Sequence, residues 1–290
     1  MKNYLSALVD VTWLHSHIDD PNLIVLDASV KPVVSGFISV NGSSERNMLI
    51  PRALFFDLEN RFSDLESDLP HMMPTVSQFE TEFRSLGINE DSLIVVYDDV
   101  GVYSSPRVWW MIRAMGHKDV AVLDGGLPAW LEAGLSVSES HERQHGVAAN
   151  DIGNFIARPQ EGSFVNADIV AETLRDQKEN SVLDARSPDR FYAKAPEPRA
   201  GVRGGHIPGS KNLPFPIVLD NGYMKDSEAL RKIFENFRDL DHRIMFTCGS
   251  GLTACVLLFG AYLAGFSNLS IYDGSWADWG ADLNREVSVK

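Results

Sequence analysis

Cysteine is nearly absent: the 290-residue chain holds two, Cys248 and Cys255. That excludes a disulfide framework, and two thiols on one loop and helix offer no zinc-ligand spacing, so both are expected to be reduced. Positive charge is also in short supply. Lys and Arg number 26 against 40 Asp and Glu, a formal net charge of -14, and no basic cluster interrupts the balance. Nucleic-acid binding through counterion release is thereby excluded, whereas a local cationic pocket for one small acid is not. Long apolar runs are missing too. The longest candidate, residues 254–266, contains Gly260 and Gly265 and falls short of the roughly 18 apolar residues of a membrane helix, so it reads as a buried core helix. The first ten residues carry one lysine and reach Asp10 before any long apolar core, which fits neither a signal nor a transit peptide; cytoplasmic residence is the expectation.

What is present is a repeat. Residues 22–29 (Asn-Leu-Ile-Val-Leu-Asp-Ala-Ser) correspond to residues 179–186 (Glu-Asn-Ser-Val-Leu-Asp-Ala-Arg), and Ile50-Pro51 to Ile207-Pro208, both at an offset of 157. A third block, Val122 to Trp130, answers Ile271 to Trp279 at an offset of 149. Three blocks recurring in order indicate two copies of one domain. Each copy alternates short β-branched runs with helical stretches, which predicts an α/β fold of tandem duplicated domains, each a mostly parallel sheet with helices on both faces. Expected elements include a strand over 92–97 followed by a helix over 106–115, and a strand over 243–247 in the second copy. The predicted boundaries are 1–135 for the first domain, 136–162 for a polar connecting segment and 163–290 for the second domain.

The second copy places Cys248 where the strand 243–247 gives way to Gly249-Ser250-Gly251-Leu252-Thr253 and then to a helix. A cysteine there faces unpaired amides and the positive end of the helix dipole, which favour a thiolate. Gly249 and Gly251 let the backbone curl so that successive N–H groups converge on an anion, and Ser250 and Thr253 add hydroxyl donors. The first copy has Asp98 at the matching position. A carboxylate satisfies the helix terminus but performs no sulfur chemistry, so that domain is expected to be catalytically silent. Cys255, inside the apolar helix, is read as structural.

The chain resembles a two-domain sulfurtransferase of the rhodanese superfamily. Its loop, Cys248 to Ala254, is similar to the Cys-Gly-Ser-Gly-Val-Thr-Ala loop of 3-mercaptopyruvate sulfurtransferases, with Leu252 in place of valine. The resemblance continues through Tyr103 to Trp110, Leu123 to Leu127 and Gly205 to Gly209, although residues 41–50 lack the Gly-His that precedes Ile207. It implies a silent first domain, a catalytic second one and Cys248 as the sulfur carrier. It further implies that Arg190 and Arg199 grip the donor's carboxylate and carbonyl, and that the backbone of Gly249, Ser250, Gly251, Leu252 and Thr253 lines the donor site. Arg186 is assigned to structure, paired with an acid such as Asp184. His71 is implied as a proton donor, linked through Ser250 and oriented by an acid, Glu59 or else Asp57. The implied partners are 3-mercaptopyruvate as donor and a thiol such as thioredoxin, or cyanide, as acceptor; no metal or other cofactor is implied.

Three other readings compete. Thiosulfate-preferring relatives carry Arg and Lys in this loop, which suits a doubly charged donor, and this loop has no cation. Cysteine phosphatases close a similar cradle with an arginine that clamps a dianionic phosphate, and Thr253 and Ala254 stand where it would fall. A silent binding module is the non-enzymatic reading, and the feature that discriminates against it is Cys248, present in the second loop and absent in the first.

Overall fold

The computed structural model describes residues 5–34, 36–43, 47–142, 152–175, 180–237 and 242–290. It divides into two compact units: Met1–Asp64, Met73–Gln160 and Asn221–Met224 form the first, and Leu65–Met72, Glu161–Asp220 and Lys225–Lys290 the second.

Each unit is built on a five-stranded parallel sheet. In the first, the strands run Leu8–Val9, Val120–Leu123, Leu93–Tyr97, Leu23–Asp27, Leu54–Phe55 across the sheet. In the second, the order is Phe164–Val165, Leu269–Tyr272, Arg243–Thr247, Asn180–Asp184, Lys211–Asn212. The two orders are the same, and so is the register. Asp27 pairs with Tyr97 where Asp184 pairs with Thr247, so the repeated sequence blocks are repeated hydrogen-bonding partners.

The central strands are apolar without alternation because both faces are covered, as a parallel sheet requires. Val25, Val95, Tyr97 and Leu123 pack on one face with Leu14, Leu127 and Trp130. The residues between them, Leu26, Ile94, Val96 and Val122, are equally buried on the other. In the second unit Val182, Met245 and Tyr272 join Trp276 and Trp279, and Phe246 turns the opposite way to meet Phe234 edge-on with centroids 6.2 Å apart.

Helix starts follow capping chemistry. Asp10, Thr75, Asn166 and Asp226 each accept an amide three residues on, at Trp13, Gln78, Ile169 and Ala229. The helices behind the two cradle loops are different in kind. Ser105–Ala114 is buried except at Arg113, and Ala254 through Ala261 are all buried, so each is wrapped on every side. The expected helix over 106–115 therefore begins one residue earlier, at Ser105, because that amide already serves the loop; Pro106 fits the first turn, where no N–H is needed. The expected strand over 92–97 begins at Leu93, and that over 243–247 is as read.

Residues 143–151 of the connecting segment lie outside the described residues, and 152–160 lie against the first unit. Phe155 is buried beside Phe83 and His117, and the amides of Gly153, Phe155, Arg158 and Gln160 donate to Arg84, Ile88, Met115 and Ala114 carbonyls. Among the described residues no helix is long and apolar enough to cross a membrane.

Candidate active site

The first unit shows what the turn after the central strand can hold. Asp98 is fully buried, and its carboxylate collects six donors. The amides of Val100 and Gly101 donate to Oδ1, both at 3.1 Å. Those of Tyr103, Ser104 and Ser105 donate to Oδ2 at 2.9, 3.0 and 2.9 Å, joined by the Ser105 hydroxyl at 2.7 Å. Burial pushes the Asp98 carboxyl up from its ordinary value, and the bonds from Ser105, Tyr103 and Val100 pull against it. The loop is thus an anion cradle filled by its own side chain.

Cys248 stands at the same register point of the second sheet, one residue past Thr247, and is 1% exposed. The loop that follows is one residue shorter. Cys248 lies 150 positions after Asp98, whereas the helix at Ala254 begins 149 after the one at Ser105. Gly251 takes the left-handed φ of +75° that only glycine adopts without strain. The loop is anchored from behind: the Cys248 amide donates to Ser275 Oγ at 3.2 Å, that hydroxyl donates to the Tyr272 carbonyl at 2.8 Å, and the Trp276 and Ala277 amides donate to the carbonyls of Cys248 and Gly249 at 3.0 Å each. Ser250, Leu252 and Thr253 are buried, and Thr253 is the helix N-cap with its side chain not spent on capping. Cys255 donates its thiol to the Gly251 carbonyl at 3.3 Å, within the packed helix.

A short helix, Pro188–Phe191, brings Arg190 to this loop. A Cβ on Gly249 would lie 3.1 Å from Arg190 Nη2 and 3.8 Å from Nη1, so the guanidinium rests against the backbone next to Cys248. Glu197 fixes it, with Oε2 accepting from Nη2 at 2.5 Å and Oε1 from Nε at 3.3 Å. Glu197 Oε1 also accepts from Arg186 Nη1 at 2.8 Å. Arg186 gives its remaining nitrogens to Asp184, with the shortest contact at 2.7 Å, and to the Gly205 carbonyl, while its face lies 4.4 Å from the Trp276 ring centroid. Burial opposes the Arg186 charge; Asp184 and then Glu197 outweigh it and hold that guanidinium above its usual range. The expected structural pairing of Arg186 with Asp184 is therefore present.

Arg199 is half-buried two residues beyond Glu197 and takes no part in this network. His71 is half-buried in a turn, with a φ of +59° that is uncommon for a residue with a side chain, in the segment that clusters with the Cys248 unit. Glu59 is exposed on a turn of the first unit, and Asp57 accepts from the Asn60 amide and side chain at 3.1 and 2.9 Å. Sequence reasoning passed over Glu197 and Ser275. The first carried a signal, an acid between two prolines in a loop with three arginines whose charges need partners; the second carried none beyond its place in the repeated block.

Comparison with known proteins agrees with this architecture. A model of the rhodanese-like domain matches residues 10–133 and again 166–282. The chain belongs to the rhodanese family. Across 94% of its length it is 40% identical to thiosulfate/3-mercaptopyruvate sulfurtransferase 1, mitochondrial, of Arabidopsis thaliana, covering 75% of that protein. It is 36% identical to the 3-mercaptopyruvate sulfurtransferase of Escherichia coli K12, with 96% of each chain covered. The crystal structure of SseA from Escherichia coli, a 3-mercaptopyruvate sulfurtransferase with the rhodanese fold, superposes with a TM-score of 0.78 at 34% identity, over 93% of this chain and 99% of that one. The two rhodanese-like domains thus share one sheet order and differ at the residue that follows the central strand.

Proposed function

We propose that this protein transfers the sulfur of 3-mercaptopyruvate through a persulfide on Cys248. The observation that carries the proposal is that the turn after the central strand clasps the Asp98 carboxylate in the first domain, and that Cys248 stands at the equivalent point after the central strand of the second. Amides that clasp a carboxylate in the first domain have counterparts that suit a thiolate, and equally a terminal persulfide anion, in the second. Arg190 beside Gly249 supplies a guanidinium edge for the donor's carboxylate, with Arg199 as its partner in gripping the keto acid.

In the first half-reaction the Cys248 thiolate attacks the thiol sulfur of the donor. An S–S bond forms, the donor's C–S bond breaks, and its electron pair passes to the carbon of the pyruvate enolate, which the arginines stabilise until it takes a proton. His71, with Ser250 between it and the sulfur, is the proposed source of that proton. In the second half a thiol such as thioredoxin, or cyanide, attacks the outer sulfur and releases the Cys248 thiolate. The same chemistry with thiosulfate is the second reading, supported by the name of the Arabidopsis relative, which pairs both donors.

Mass spectrometry of the purified protein after exposure to 3-mercaptopyruvate should show the mass of one sulfur added at Cys248, lost on treatment with cyanide and absent in Cys248→Ser. An unmodified wild-type protein would end the proposal. kcat/KM should be higher for 3-mercaptopyruvate than for thiosulfate, and the reverse order would select the second reading.

A further inference from the structure

Glu197 sits at the junction of two guanidinium groups and has only 4% of its side chain exposed. Its two neighbours are not equivalent. Arg186 is 1% exposed and committed on every side, to Asp184, to the Gly205 carbonyl and to the Trp276 face. Arg190 keeps 20% of its side chain exposed and lies against Gly249, so Glu197 is what joins a rigid buried pair to the guanidinium beside the Cys248 loop. The formal charges of Asp184, Arg186, Glu197 and Arg190 cancel.

We propose that Glu197 is a positioning residue that selects the sulfur donor through Arg190. This rests on the reading of Cys248 as sulfur carrier and Arg190 as donor-binding. By holding Nε and Nη2, Glu197 fixes the direction in which Arg190 offers its remaining N–H groups, which fits a planar carboxylate. By sharing the Arg190 charge, it leaves that edge suited to a monoanion and poor for a dianion. Both effects push donor choice the same way. Neutralising Glu197 loosens Arg190, which costs the fitted keto acid, and uncovers a positive charge, which favours doubly charged thiosulfate.

The test is the ratio of kcat/KM for 3-mercaptopyruvate to that for thiosulfate, measured in wild type, Glu197→Gln, Glu197→Asp, Arg190→Ala and the Arg190→Ala/Glu197→Gln double variant. In Glu197→Gln the ratio is expected to fall roughly tenfold. Glu197→Asp keeps the charge and withdraws the carboxylate by one methylene, so its ratio falls in the same direction by about threefold; it serves alone if Glu197→Gln does not fold. In the Arg190→Ala background the Gln substitution should leave the ratio unmoved. A residue that merely props the fold lowers both donors together, so an unchanged ratio in the single variants overturns the proposal, as does an equal fall with Arg190 absent. A wild-type protein that gains no sulfur at Cys248 from either donor overturns the sulfur-carrier reading and this one with it, and that result is seen before any variant is made.

Discussion

A single atom of side chain at Gly249 would crowd the guanidinium of Arg190. A methyl group there would lie 3.1 Å from Arg190 Nη2, a few tenths of an ångström too close, and Glu197 denies Arg190 an easy retreat. Gly249→Ala is therefore expected to raise KM for 3-mercaptopyruvate by roughly tenfold, ~1.4 kcal/mol, with little change in kcat for the persulfide-discharge half. Steady-state kinetics with each substrate varied would check this, and an unaltered KM would show that Arg190 does not serve the donor. At this scale the legibility of the chain was uneven for a physical reason. Cys248 was readable because its position after a strand and before a glycine-bearing turn defines its surroundings, and Arg186 because an acid lies two residues away in the same strand end. Glu197 carried only the weak signal of an acid in an arginine-bearing loop, because one acid among 40 acquires its full meaning when folding brings it against two arginines 11 and 7 residues upstream.

At the level of elements, the strand-turn-helix unit behind each cradle is a shared part with two fillings, and the repeat was readable because identical register forces similar residues into similar strands. Boundaries were less readable, since the start of Ser105–Ala114 depends on an amide claimed by Asp98 rather than on propensity. The far end of that helix carries a pH-sensitive tie. His117 Nε2 lies 2.9 Å from the Ser92 carbonyl just before the strand Leu93–Tyr97, with the rings of Phe83 and Phe155 against it. Burial lowers the His117 pKa, and its bond to Ser92 and the nearby Asp119 oppose that only in part. Because the folded value is depressed, the unfolded chain binds a proton that the native one resists. The stabilisation is complete above the unfolded value near ~6.5 and is lost as pH falls below it, with a slope of at most ~1.4 kcal/mol per pH unit for one proton. Urea midpoints measured from pH 7.5 to 5 should fall more steeply for wild type than for His117→Gln, whose amide can still donate to Ser92. Equal slopes would remove His117 as the cause.

Across the whole molecule the chain does not divide where its sequence repeat does. Residues Leu65–Met72, from the first copy, cluster with the second unit and carry His71 to it, while Asn221–Met224, from the second copy, cluster with the first. There the Met224 amide donates to Asp124 Oδ1 at 2.8 Å and the Tyr223 hydroxyl to Glu132 at 3.0 Å. Such exchanges are invisible to composition or periodicity, because both concern neighbours in sequence and these contacts join residues about 100 positions apart. They also set a limit on autonomy. A polypeptide of residues 161–290 contains the whole Cys248 loop and the Arg190–Glu197 pair, yet lacks an eight-residue segment of its own unit. It is expected to melt at least ~5 °C below the full chain and to transfer sulfur poorly, with residues 1–160 added in trans restoring part of both. Thermal denaturation and sulfur-transfer assays on the fragment, alone and mixed, would decide. A fragment as stable and as active as the full chain would mean that neither the borrowed segment nor His71 within it contributes to the second domain.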